Sequence, residues 1–352
     1  MADQKTTTEE AVGEAGLDAA ALSRWMDEKS LPGAGELAKI RPLSGGSQNE
    51  LYEISRGGSS FALRRPSRAT PGQAKVLMRE ARLLRAIAGT DVPHARLLAA
   101  TDDADVLDRP FYLMELVDGW SPMQGGWAAP FDADLRARAG LARQLVDGAA
   151  RMARVDWKAV GLEGFGKPDG FLDRQVDRWL SHLSGFGFRE LPGLDEAAAW
   201  LRAHRPTSFR PGIMHGDYQF ANVMFRHGAP AELAAIIDWE MATIGDPLLD
   251  LGWVLVAWPP EGDDMTESRY LDYAGMPARD DLLEHYASVS GLDVTEVDYY
   301  VVLARFKLAI VLEASVARYA KGQADERVSR FGPMVLELMR KAAELARTTT
   351  LR

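Results

Sequence analysis

The sequence predicts an α+β protein: a small antiparallel β lobe carrying one helix, then a larger, mainly helical lobe. Three observations lead there. Residues 36–65 fall into short apolar runs separated by turns rich in Gly and Ser, the mark of antiparallel strands. From about residue 120 the apolar spacing becomes helical, over 135–155, 171–183 and 194–204. The length, 352 residues, is enough for two such lobes. We expect a tail and helix over 1–32, a first lobe over 33–117 and a second over 118–352.

Composition narrows the function classes. The chain is 47% hydrophobic and 26% charged, an ordinary globular balance. A net charge of −10 argues against a nucleic-acid partner held by phosphate neutralisation, without excluding a local basic pocket. The absence of cysteine rules out disulfides, thiolate metal sites and a cysteine nucleophile. Residues 1–12 are polar and acidic, unlike a signal peptide. The longest apolar run, Leu249 to Trp258, is interrupted by Asp250 and falls short of the ~20 residues of a spanning helix. The expectation is a cytoplasmic protein without a membrane partner.

The elements follow in order. Residues 1–13 read as disordered, and Leu17 to Glu28 as a helix capped by Asp18, broken by Leu31-Pro32-Gly33. Strands are expected over 37–43, 51–55 and 61–65. The first turn holds Ser44, Gly45, Gly46 and Ser47, more than a tight hairpin needs, and its backbone N–H groups could approach phosphates closely. In the third strand Ala62 and Arg64 share a face, and Arg65 takes the other. A helix over 71–88 carries Glu80 inside the apolar stripe between Leu77 and Leu84. A carboxylate there needs a partner: Arg64, a local Arg79 or Arg82, or solvent at the stripe's edge. Residues 109–115 form the next strand, and Asp118-Gly119 reverses the chain. Asp246-Pro247 opens a helix, with Asp246 as cap and Asp250 one turn inside. The stretch 258–277 is loop-like, 282–291 and 294–319 are helices, the second amphipathic, and the chain frays from about Thr348.

The chemistry concentrates in His215-Gly216-Asp217-Tyr218-Gln219-Phe220-Ala221-Asn222, bracketed by the apolar runs Ile213-Met214 and Val223 to Phe225. A turn and a returning strand then end at Asp238. Phosphoryl transfer from ATP needs a carboxylate by the attacking hydroxyl and hard oxygen ligands that hold Mg²⁺ against the phosphates. An Asp, an Asn five residues on and a strand-ending Asp supply those parts in kinases, and here they are Asp217, Asn222 and Asp238.

HGDYQFANVMF followed by IIDWEMATIGDPLLDLGW resembles the aminoglycoside phosphotransferase superfamily of kinase-like enzymes. It is most similar to the branch related to the phosphotransferase domains of acyl-CoA dehydrogenase family members 10 and 11. The likeness runs over nearly all of the chain after about residue 30. It implies a two-lobed, protein-kinase-like fold with ATP·Mg²⁺ between the lobes. Asp217 would orient the acceptor hydroxyl and take its proton, and Asn222 and Asp238 would hold the metal. Phe61-Ala62-Leu63-Arg64 stands where kinases have V-A-I-K, so Arg64 would pin the α- and β-phosphates and Glu80 would hold Arg64. Arg in place of Lys is a departure, a planar fork replacing a compact ammonium. The backbone of Glu115 and Val117 would bond adenine, with Met114 behind it. His215 would lock the loop, Asp250 would brace it through backbone amides, and Glu240 would be a further metal or water ligand.

The acceptor implied by the resemblance is a small hydroxylated molecule, a hydroxyacyl-CoA thioester first. An aminoglycoside or other amino-polyol is the alternative, mildly favoured by the acidic net charge. Arg174, Arg178, Arg202, Arg205 and Arg210 would be either a CoA-binding patch or solvated helix faces. A nucleotide-binding pseudokinase is the reading from another class, and Arg64 is the only feature that favours it. Oligomeric state is left open.

Overall fold

A computed structural model describes residues 16–35, 37–43, 49–68, 70–259 and 271–351. The chain divides into two units. The first comprises residues 1–119, 160–162 and 234–240, and the second takes 120–159, 163–233 and 241–352.

The first unit is built on a five-stranded antiparallel sheet. Its strands are β1 (Leu37–Leu43), β2 (Asn49–Arg56), β3 (Ser59–Pro66), β4 (Leu97–Thr101) and β5 (Phe111–Glu115), in the order β1-β2-β3-β5-β4. Strand β4 goes beyond the sequence expectation: its Leu-Leu-Ala-Ala-Thr is too short to show a period. Helix α1 (Ala19–Glu28) is capped by Asp18, whose side chain accepts from Ala21 N at 2.8 Å. It lays Leu22, Trp25 and Met26 into a core with Ile54, Leu63 and Phe111. Helix α2 (Pro71–Ile87) begins at the cap Thr70 with Pro at its first position, where a missing N–H costs nothing. A one-turn helix, α3 (Ala104–Leu107), precedes β5.

The register fixes what the sheet offers. Ala62 pairs with Met114 and Arg64 with Tyr112 across β3 and β5, so Ala62 and Arg64 lie two residues apart on one face.

The second unit is mainly helical: α4 (Leu135–Arg154), α5 (Gln175–Ser184), α6 (Leu194–Ala203), α7 (Leu248–Val256), α8 (Arg279–Ser290), α9 (Val297–Ala320) and α10 (Phe331–Thr348). The last helix was missed in the sequence, although its apolar stripe through Val335, Leu338, Met339 and Ala342 is buried. Two short strands, β6 (Gly212–Met214) and β9 (Thr243–Gly245), pair antiparallel on either side of the motif, with β7 (Val223–Phe225) and β8 (Leu233–Ile236) between them in sequence. Helix α9 corrects an expectation. It is not amphipathic but buried on nearly all sides, with Tyr299 to Ala304 and Phe306-Lys307 inaccessible in succession, because α7 and α10 both pack on it.

Candidate active site

The motif loop in the second unit is held from below. Tyr218 is fully buried and its hydroxyl donates to Leu145 O at 2.7 Å. Gly148 on α4 makes room for it, since a Cβ there would stand 2.2 Å from that oxygen. Phe220 sits in an aromatic cluster with Trp127 at 5.1 Å and Phe225 at 6.2 Å between ring centroids. These anchors fix the backbone on both sides of Asp217, so its carboxylate is pre-positioned.

Asp250, 1% exposed on α7, receives the loop's start: His215 N donates to Oδ2 at 2.6 Å and Gly216 N to Oδ1 at 2.9 Å. Burial pushes this carboxyl up, and the nearby His215 ring and the two amides pull it back. Gly216 has φ +87°, and a Cβ there would meet Met241 O at 2.7 Å, so only glycine suits this turn. Asp217 follows, half-buried. Its Oδ1 accepts from Gln219 Nε2 at 2.7 Å and its Oδ2 from Asn222 Nδ2 at 2.9 Å. The same Asn222 amide nitrogen donates to Asp217 O at 2.8 Å, which turns the amide oxygen away as an acceptor. His215 is fully buried, and its Nδ1 takes the Asp217 amide at 3.4 Å.

The strand-ending acid lies in the first unit. Asp238 has φ +63°, a left-handed conformation uncommon for a non-glycine residue and found where a side chain must be aimed. Arg64 Nη2 donates to its Oδ1 at 2.7 Å. Arg64 Nε stands 3.3 Å from Glu80 Oε2, close enough to pair but not aligned as a hydrogen bond. Glu80, 2% exposed, accepts the Trp239 amide on its other oxygen at 3.1 Å. Glu240 Oε2 lies 3.9 Å from Arg64 and 3.5 Å from Asn49 Nδ2. The guanidinium thus spans three carboxylates, which a lysine's single nitrogen would not do in this geometry. Burial pushes the Glu80 carboxyl up while Arg64 pulls it down, and that acidic surround holds the Arg64 guanidinium above its usual range.

The remaining predicted residues are placed as follows. Ser44, Gly45, Gly46 and Ser47 lie outside the described residues. Met114 is half-buried and Glu115 exposed at the end of β5, and Val117 is half-buried two residues on. The Glu115 N–H donates to Arg96 O at 3.0 Å and is spent there. Four of the five arginines proposed for a CoA patch are engaged within the chain. Arg174 bonds the carbonyls of Lys167 and Asp169, Arg202 pairs with Asp177, Arg205 with Asp173, and Arg210 bonds Ser290 O. Arg178 instead lies over the Trp179 ring at 5.8 Å.

Sequence reasoning passed over Lys307. It lies in the middle of α9, 6% exposed, 5.4 Å from the Trp179 ring centre and 5.6 Å from that of Trp253. Burial lowers its ammonium to about 8 against the pull of Asp250 and Asp217. The signal was a second cation, two residues after Arg305, amid the apolar run of α9, which an amphipathic reading assigns to the solvent side.

Magnesium needs hard oxygens. The Asn222 amide oxygen and the Asp238 carboxylate are of that kind, and the amide is oriented to offer its oxygen. Among the described residues no cluster of three or more His, Cys, Asp or Glu could hold a metal ion. By donor chemistry Asn222 and Asp238 each suit magnesium, which takes one or two protein oxygens with substrate phosphates and water.

Solved structures define the class. A Ralstonia eutropha protein assigned provisionally as an aminoglycoside phosphotransferase matches with a TM-score of 0.81 and 28% identity, over 94% of this chain and 98% of that one. A thermostable mutant of aminoglycoside phosphotransferase APH(4)-Ia, in complex with AMP-PNP and hygromycin B, matches with a TM-score of 0.60 and 15% identity, over 94% of this chain and all of that one. The fold is therefore the kinase-like α+β fold of the aminoglycoside phosphotransferases. The profile of the phosphotransferase enzyme family matches residues 39–290, and the chain belongs to that family. Among curated proteins, acyl-CoA dehydrogenase family member 11 of Gallus gallus is 27% identical over 346 residues, 94% of this chain and 44% of the relative. Family member 10 of Mus musculus is 27% identical over 310 residues, 86% of this chain and 28% of the relative. The chain thus spans less than half the length of these curated relatives. Among its described residues no helix is long and apolar enough to cross a membrane.

Proposed function

We propose that the chain moves the γ-phosphoryl group of ATP to a hydroxyl of a small acceptor, with a hydroxyacyl-CoA as that acceptor. The observation that carries this reading is the posture of Asp217. Its two oxygens are each oriented by a short side-chain bond, from Gln219 and Asn222, on a loop clamped by Asp250. A carboxylate so fixed can hold an acceptor hydroxyl and receive its proton, which contributes roughly 10²–10⁴ in rate. Arg64 is the cation for the α- and β-phosphates, kept in place by Glu80. Magnesium, on Asn222 and Asp238, would neutralise phosphate charge as the bond to the leaving group loosens. The likeness to acyl-CoA dehydrogenase family members supports the thioester. The hygromycin-bound fold neighbour supports an amino-polyol as the second reading.

The test separates binding from chemistry. Asp217→Asn should retain ATP·Mg²⁺ binding, seen as an upward shift in melting temperature, while ADP release with hydroxyacyl-CoA falls by roughly 10²–10⁴. Loss of nucleotide binding, or turnover within threefold of the parent, would remove Asp217 from this role.

A further inference from the structure

Lys307 is an ammonium buried in the second unit with no hydrogen bond and no ion pair among the described residues. Two tryptophan faces hold it, from α5 and α7. Contacts of that kind are weak beside the cost of keeping an unpaired ammonium from water. The neighbouring donors are also unspent. The indole Nε1 of Trp179 and of Trp253 are both buried without an acceptor, although buried indole N–H groups normally find one. Arg178, exposed beside the same Trp179 ring, adds a second cation and has no ion pair of its own. Asp217 and Asp250 lie within Coulombic reach of the ammonium.

We propose that Lys307 receives an oxygen of the acceptor, a carboxylate or thioester carbonyl next to the hydroxyl that Asp217 addresses. This rests on the phosphotransfer reading and deepens it. Such a site selects hydroxy acids and their thioesters and repels a polyamine, because a cationic acceptor would face an uncompensated ammonium. The purely structural alternative, in which Lys307 offsets the buried charge of Asp250, lacks direct contact: no ion pair joins the two.

The experiment uses the full chain and reads equilibrium binding of 3-hydroxybutyrate, 3-hydroxybutyryl-CoA, CoA and kanamycin by calorimetry, with ATP·Mg²⁺ as control. In the parent at least one acyl probe should bind and kanamycin should not. Lys307→Met should weaken that probe at least tenfold, leave ATP binding within twofold and keep or raise the melting temperature. Binding of 3-hydroxybutyrate shows that the carboxylate suffices, and binding of the thioester alone assigns the carbonyl. Equal binding to parent and Lys307→Met, a lowered melting temperature with acyl binding intact, binding of CoA as tight as of its hydroxyacyl ester, or no acyl binding to the parent would each overturn the proposal. Failure of the phosphotransfer reading shows separately, as acyl binding that depends on Lys307 without ATP-dependent turnover.

Discussion

Asp250→Asn tests whether the loop is clamped by charge or merely by shape. The parent carboxylate accepts two backbone N–H groups at 2.6 and 2.9 Å in a site that is 1% exposed. Hydrogen bonds to a charged group contribute about 1.5–3 kcal/mol each, so the pair is worth about 3–6 kcal/mol. Asparagine keeps one neutral bond, about 0.5–1.5 kcal/mol, and turns an NH₂ against the other amide, leaving a buried donor unpaired at about 1–3 kcal/mol. Burial disfavours the Asp250 charge, and removing that charge offsets part of the loss. The net destabilisation should be about 2–3 kcal/mol by urea unfolding, with faster hydrogen exchange at the His215 and Gly216 amides. A misplaced Asp217 should lower turnover by about 10². Stability within about 0.5 kcal/mol of the parent, with both amides as protected as before, would refute the reasoning.

Arg64→Met should cost about 3–5 kcal/mol, because it strands the buried Glu80. The double variant Arg64→Met with Glu80→Met should recover most of that loss, and simple additivity in urea unfolding would show that the two are not a pair. Burial raises the Asp246 carboxyl to about 6, while the Tyr300 hydroxyl and Leu248 amide hold it down. Its folded value lies above the unfolded value of about 3.9, so its contribution to stability is present below about pH 4 and lost as pH rises through about 6. Asp246→Asn cannot titrate and should gain on the parent by about 1–3 kcal/mol between pH 4 and 7, whereas a constant or shrinking difference would contradict the shift.

Much of this architecture is legible in the chain. The hairpins announce themselves through their turns, and α1 and α7 through their caps: Asp246 Oδ1 accepts the Leu248 amide at 3.2 Å. The motif residues stand out because the chemistry restricts both residue type and spacing. What the sequence hides is long-range. Glu80 interrupts an apolar stripe, but nothing nearby in sequence says that it meets the amide of Trp239 as well as Arg64. Lys307 is invisible for the same reason, since its burial depends on the helices packed against α9 on both sides. Strand β4 is too short to show a period, and α10 fills a stretch, 331–348, for which no element was expected.

The first unit is not contiguous. Residues 234–240 return to it after the chain has built more than a hundred residues of the second. Ile236 N donates to Pro93 O at 2.9 Å, and the Arg64–Asp238 and Glu80–Trp239 bonds close loops of 174 and 159 residues. Closures of that size are slow, because chain entropy is spent before the contact forms. A fragment cut at Gly119 would hold Arg64 and Glu80 without their Asp238 and Trp239 partners, so the sheet's charged face is complete only in a chain that reaches Trp239. Arg64 and the strand-end acid thus pair only in a chain that carries residues 120–233 between them, and the first unit cannot be separated from the second by a single cut.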